Sequence, residues 1–233
     1  MIKTKLRTKF AVGSTYDKES KLYDFKRFQN PGGRYIDQVE KQLLRKYLKR
    51  GSILEIGTAT GRFVGFVLET GSNYTGLDLS RVMLKHVSES ESRLIQADGE
   101  RLPFAAESFD AIICLHTFHF LPEPLTALRE MYRALKPGGS LVLIFELDNW
   151  LRRIVLSTGL FVSQQYYYTV PEVSSMMKST GFSVDASGSV LKFPMAAYRR
   201  LPFTPLLRVL DLSDGLPAIF ETLGFTAGQK PAA

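Results

Sequence analysis

Residues 53–63 read Ile53-Leu54-Glu55-Ile56-Gly57-Thr58-Ala59-Thr60-Gly61-Arg62-Phe63. A short apolar run that suits a buried strand (Ser52 to Ile56) ends at a glycine. A loop of small residues follows, and then a helical pattern over Arg62 to Glu69 with Phe63, Phe66 and Val67 on one side. Strand, small-residue loop, helix is the unit from which sheets with nucleotide crevices are built. Glycine lets the backbone approach a ligand closely, and the helix start offers N–H groups and a positive dipole end.

Outward from this unit the same alternation repeats. Tyr74–Asp78 reads as a strand, and Ser80 caps a helix over Arg81–Glu89. Arg93–Ala97 and Asp110–Leu115 are further strands. Pro124–Leu135 is an amphipathic helix, Pro137-Gly138-Gly139 a turn, and Ser140–Glu146 a strand. Upstream, Tyr35, Ile36, Val39, Leu43, Leu44, Tyr47 and Leu48 form a helical stripe that Gly51 stops. Downstream, Pro171–Ser179 reads as a helix with proline in its first turn, and Phe182–Phe193 as a strand. Residues 194–217 read as irregular or helical, and Phe220–Lys230 holds a last strand. Strands alternating with helices at this rate predict an α/β fold with a parallel sheet covered on both faces. With no repeat or low-complexity linker, one domain over 1–233 is expected: an N-terminal helical cap (1–50), a core (51–147) and a C-terminal half with insertions (148–233).

The small residues Gly57, Ala59 and Gly61 do not have the spacing of the dinucleotide fingerprint. A carboxylate, Glu55, precedes the first glycine by two residues; it would repel a pyrophosphate and suit an ammonium or sulfonium. Asp78 ends the second strand, where a carboxylate accepts from both hydroxyls of a ribose. Asp98, after the third strand, has the reach to accept from an exocyclic amino group of adenine. Asp78 or Asp98 alone reads more readily as a helix cap or turn residue. All three in this order describe a ligand with an adenine, a ribose and a cationic tail.

These segments resemble the class I S-adenosylmethionine-dependent methyltransferases, in the branch that includes ubiquinone- and menaquinone-biosynthesis enzymes. LEIGTATGRF, YTGLDLS, IQADGERLPFAAESFDAIICLHTFHFL and LREMYRALKPGGSLVLI are similar to the family's successive motifs, over about residues 50–147. The resemblance implies a doubly wound, mostly parallel seven-stranded Rossmann-like sheet with an antiparallel last strand. It also implies S-adenosylmethionine as methyl donor, with S-adenosylhomocysteine as product. By resemblance Asp78 holds the ribose, Asp98 and Gly99 surround the adenine, and Leu79 packs on it. The backbone of the Gly57 loop and of Leu115 holds the methionine part. Tyr16 and Tyr23 resemble aromatic residues that cover the cofactor in relatives. Ala59 departs from the family's usual glycine and is tolerable there if its φ is negative.

Methyl transfer is an in-line displacement in which positive charge disperses, so alignment and water exclusion carry much of the rate. His116 and His119, just past the fourth strand, are the candidate bases, with Glu146 behind them. Cys114 sits inside an apolar strand after Ile113 and reads as core rather than nucleophile. The acceptor pocket is expected from residues 16–35, 148–170 and 194–217, with Trp150, Phe161, Tyr166, Tyr167 and Tyr168 as aromatic surface and Arg199 and Arg200 as an anion site. A small-molecule, lipid-like or quinone-like acceptor is preferred.

Composition bounds the rest. At 233 residues the chain is long enough to bury a core without disulfides. One cysteine excludes a disulfide within the chain or a CxxC site, and three histidines without HExxH argue against a zinc hydrolase, so no metal is expected. No apolar run reaches the ~18 residues of a membrane span, and the N-terminus lacks a secretory pattern, so a cytoplasmic location is expected. Residues 1–50 carry 14 Lys/Arg against 5 Asp/Glu, whereas 51–150 carry 8 against 13. That basic arm leaves open an RNA or protein methyltransferase. A non-catalytic nucleoside-binding protein and a nicotinamide oxidoreductase also stay open.

Overall fold

Strand β1 (Ser52–Ile56) is buried on both of its sides: Leu54 and Ile56 enter one apolar cluster and Ile53 the other. It pairs in parallel with β2 (Asn73–Asp78) and β4 (Phe109–Leu115). β2 pairs in parallel with β3 (Arg93–Gln96), and β4 with β5 (Leu135–Glu146). β7 (Leu223–Gln229) lies antiparallel between β5 and β6 (Ser183–Leu191). The seven strands run in the order β3-β2-β1-β4-β5-β7-β6, and the expected doubly wound, mostly parallel sheet with an antiparallel last strand is what they form. The chain order reverses between β1 and β4, and the carboxyl ends flanking that switch point open a crevice. The computed structural model describes residues 17, 27–87, 92–149, 153, 165–191 and 221–232.

Helices cover both faces. On one side α1 (Pro31–Tyr47) and α2 (Val64–Leu68) pack Ile36, Leu44, Phe66 and Val67 against Ile53, Ile113 and Ile144. On the other, α4 (Pro124–Ala134) and α5 (Val170–Ser179) pack Leu128, Met131, Val173 and Met177 against Leu54, Ile112 and Leu143. A single turn, α3 (Arg81–Leu84), follows β2, with the Ser80 hydroxyl accepting from the Met83 N–H at 3.0 Å. α5 is set by a capping box between Thr169 and Glu172. Among the described residues no helix is long and apolar enough to cross a membrane.

Several boundaries differ from the sequence reading; the helix expected over Arg81–Glu89, for one, is the single turn Arg81–Leu84, ended at Lys85. α1 starts four residues before Tyr35, because Asn30 caps it (Gly33 N–H to Oδ1, 2.8 Å) and Pro31 suits its first turn. α2 is shorter than Arg62–Glu69, since Val64 N–H still bonds the Gly61 carbonyl and the loop uses up Arg62 and Phe63. β5 begins at Leu135, so Pro137-Gly138-Gly139 lies inside a strand as a bulge instead of ending one. Gly138 and Gly139 stay in the sheet by exchanging backbone bonds with Lys230 (2.8 and 2.9 Å).

Candidate active site

The loop after β1 is shaped from within. Gly57 has φ 83°, and a Cβ there would lie 1.8 Å from Thr117 Oγ1, so only glycine fits. The N–H groups of Gly57 and Thr58 both donate to the Leu77 carbonyl (2.7 and 3.1 Å), and Gly61 N–H to the Thr58 carbonyl (2.9 Å). Ala59 N–H donates to Asp78 Oδ2 at 2.8 Å. These donors are used inside the protein, not held out as a phosphate cradle. Ala59 itself has φ 49°, contrary to the negative φ expected of an alanine there; the bond to Asp78 holds it in place.

One cavity opens on this loop. Its wall includes Glu55, Gly57 and Ala59 from β1 and the loop, Asp78 and Leu79 from the end of β2, Asp98 and Gly99 after β3, and Leu115 and His116 at the end of β4. The structure thus brings together eight of the ten residues singled out for a cofactor. Gly61 lies outside the wall, packed toward Val87. Tyr16 lies outside the described residues, as do Tyr23, Trp150, Phe161, Arg199 and Arg200. Phe28, Phe63, Met83, Phe120 and Leu121 give the cavity an apolar remainder.

The acids are tuned differently. Asp78 accepts from Ser80 N–H at Oδ1 and from Ala59 N–H at Oδ2 (both 2.8 Å), and the Leu79 N–H also favours its ionised form. Burial raises its carboxyl above the ordinary range against those bonds. Asp98 Oδ1 accepts from Glu100 N–H at 3.0 Å, so it is a turn residue and a wall residue at once. Glu55 is 3% exposed and accepts from the Tyr74 hydroxyl, which also reaches Thr58 Oγ1 (3.1 Å). Burial outweighs that hydrogen bond and pushes Glu55 up to about 8. An uncharged carboxyl facing the cavity is a site whose charge a cation would draw out.

The histidines separate. His116 lines the cavity, and its Nε2 lies 2.5 Å from Glu40 Oε1. His119 does not line it: it is 2% exposed, and its Nδ1 accepts from the Glu146 N–H at 3.3 Å, tying the turn Phe118–Phe120 to β5. Glu146, itself buried, is likewise off the wall. Cys114 is fully buried, and burial pushes its thiol up, which leaves it inert.

Sequence reasoning missed Glu40, Arg62 and Phe28. Glu40 sits in the buried row Ile36-Glu40-Leu44 of α1, and an acid at that spacing was the available signal. It bonds Arg62 Nη2 at 2.5 Å; Arg62 Nη1 reaches Asp37 at 3.0 Å, and its guanidinium stacks 4.0 Å from the rings of Phe28 and Phe63. Burial would raise Glu40, but Arg62 and His116 overcome it and pull the carboxyl down to about 2. Among the described residues no cluster of His, Cys, Asp or Glu could hold a metal ion.

Residues 54–143 match the family model described as a methyltransferase domain. A protein of uncharacterised function from Methanocaldococcus jannaschii is 29% identical over 184 residues, spanning 77% of this chain and 86% of its own length. A demethylmenaquinone methyltransferase of Corynebacterium urealyticum is 30% identical over 136 residues; the match spans 57% of this chain and 55% of that enzyme. A solved S-adenosylmethionine-dependent methyltransferase from Thermotoga maritima superimposes with a TM-score of 0.70 at 21% identity, covering 93% of this chain and 99% of that one. That last likeness is one of fold.

Proposed function

We propose, for a chain that carries a methyltransferase domain of the S-adenosylmethionine-dependent class, that it passes the methyl group to a small apolar acceptor of lipid or quinone type. The observation that carries the reading is the convergence of three carboxyl groups, Glu55, Asp78 and Asp98, from neighbouring strand ends on one cavity. Asp78, at the end of β2, takes the two ribose hydroxyls. Asp98 and Gly99 flank the adenine, and Leu79 packs on its ring. Glu55 faces the cationic methionine part, which the backbone of Gly57, Ala59 and Leu115 holds.

The chemistry asks for alignment, a dry site and, for a protonated acceptor, a base. Phe28, Phe63, Phe120 and Leu121 supply an apolar surface that excludes water and suits an apolar acceptor. The likeness to a demethylmenaquinone methyltransferase supports a quinone-like ring. His116 is the base this wall offers; His119 instead holds the turn behind it.

Calorimetry tests the cofactor. S-adenosylhomocysteine binds the native protein, and NAD binds far more weakly. Asp78→Asn removes a charged acceptor of two hydrogen bonds, each worth ~1.5–3 kcal/mol, so affinity drops at least ~100-fold. Unaltered affinity in that variant removes the ribose assignment, and tighter binding of NAD removes the reading altogether.

A further inference from the structure

A closed row of oxygens lies behind the loop after β1. The Tyr74 hydroxyl lies against Glu55 Oε2 and 3.1 Å from Thr58 Oγ1, and Thr58 Oγ1 lies 3.2 Å from the backbone carbonyl of Glu55. All three side chains are buried. Gly76 leaves room for the row, since a Cβ there would stand 2.5 Å from Thr58 Oγ1. Glu55 Oε1 is not among the side-chain atoms sealed without a partner, so it opens on the cavity that Glu55 lines.

The row is satisfied with one proton more or one fewer. With Glu55 ionised, Tyr74 donates to Oε2 and Thr58 donates to the Tyr74 oxygen or to the carbonyl. With Glu55 protonated, the carboxyl donates to Tyr74, Tyr74 to Thr58, and Thr58 to the carbonyl. A hydroxyl has one proton to give and can also accept, so neither state strands a buried group. Burial favours the acid form, as do Asp78 from β2 and Glu40 from α1; the Tyr74 hydrogen bond and the Arg62 guanidinium favour the ionised one. The balance lies at about 8. Tyr74 and Cys114, both pushed up by burial, keep their own protons throughout.

We propose that Glu55, Tyr74 and Thr58 form a relay that reads the charge of the bound cofactor, so that the site prefers the cationic methyl donor to the product, whose sulfur is uncharged. This deepens the cofactor placement above and rests on it. A sulfonium near Glu55 draws the carboxyl into its ionised form, and the proton leaves to solvent. In the transfer the carbon–sulfur bond breaks with its electron pair left on sulfur, and the sulfonium charge is gone. Glu55 then takes one proton back from solvent and the two hydroxyls reverse their donation, so the site's proton count closes over a cycle. The product keeps the contacts of its adenine and ribose but loses the pull of a carboxylate on sulfur, which favours its exchange for fresh donor. Tyr74 and Thr58 act through Glu55, as positioning residues.

Calorimetry on the full chain, with S-adenosylmethionine and S-adenosylhomocysteine in parallel, decides it. Between about pH 6 and pH 7.5 the preference for S-adenosylmethionine should grow ~10-fold or more, since a group protonated before binding and ionised after it yields up to about tenfold per pH unit. Buffers of different ionisation heat should show about one proton released with S-adenosylmethionine near neutrality and far less with S-adenosylhomocysteine. A preference indifferent to pH, or equal proton release with both, overturns the relay and leaves the cofactor placement standing; binding of neither ligand removes both. The variants test the positioning. Tyr74→Phe takes away the donor to the carboxylate and moves the rise in preference to higher pH. Thr58→Val keeps the shape but takes away the acceptor that the acid form needs, and moves the rise to lower pH; Thr58→Ser brings it back. Affinity lost equally for the two ligands, with the pH profile unmoved, makes Tyr74 and Thr58 mere packing and overturns the proposal. Should Tyr74→Phe fail to fold, the two Thr58 variants carry the same decision.

Discussion

Ala59 holds a left-handed backbone, φ 49°, in a loop where neighbouring Gly57 and Gly61 take φ 83° and 82° without strain. A Cβ in that region costs roughly 1–2 kcal/mol, part of which the bond from Ala59 N–H to Asp78 returns. Replacing Ala59 by glycine removes the strain and keeps the N–H. Glycine adds freedom to the unfolded chain, worth ~0.4–1 kcal/mol in the other direction. The net gain is up to ~1 kcal/mol, a rise of ~2–4 °C in thermal midpoint for a chain of this size. A lower midpoint in Ala59→Gly would mean the methyl group packs usefully and the loop is relaxed as it stands.

Among the elements, α1 is the one whose role the sequence half concealed. Strands β1 and β4 were legible as short apolar runs bounded by loop residues, which suit strands buried on both faces, and β2 and β3 as their repeats in an alternation with helices. The acids at their ends were legible because the strand direction fixes where Glu55, Asp78 and Asp98 emerge. Glu40 was not, because in a helix reading a charge marks the solvent side, and only the partners Arg62 and His116, brought from other elements, make burial tolerable. His116 and His119 are three residues apart and looked equivalent; the turn Phe118–Phe120 sends one into the cavity wall and the other beneath it. The bulge at Gly138 was hidden too, since its pairing partner Lys230 lies far along the chain. Glu40 should therefore anchor α1 energetically. Glu40→Met leaves His116 without its acceptor and takes from Arg62 its buried carboxylate, at a cost of ~3–5 kcal/mol. Thermal unfolding should show a midpoint lower by at least ~6 °C. A midpoint within a degree of the native one would show that apolar contacts of Ile36 and Leu44 suffice to seat the helix.

For the molecule as a whole, a cavity of acids under an N-terminal helix carrying excess positive charge ties stability to pH and binding to proton release. Glu55 goes from an ordinary value of 4.5 to about 8 on folding, with burial as the main cause. Between those values the folded chain holds a proton that the unfolded chain has lost. Stability contributed by this group is therefore full below pH 4.5 and falls as pH rises toward 8. Asp78, also raised by burial, acts in the same direction. Glu40, Asp110 and Glu130 are held below their ordinary values and act oppositely, but only in acid below the window. Urea unfolding at pH 5 and pH 9 should thus show the native protein losing a few kcal/mol, since each pH unit between the folded and unfolded values is worth ~1.4 kcal/mol, and Glu55→Gln losing much less. A positively charged ligand beside Glu55 prefers its ionised form, so affinity for S-adenosylmethionine rises with pH toward 8, and binding near neutrality expels a proton. Calorimetric heats of binding should then change with the ionisation heat of the buffer in the native protein and not in Glu55→Gln. Heats indifferent to the buffer in both would place the cation elsewhere in the cavity and leave Glu55 as a partner of Tyr74 alone.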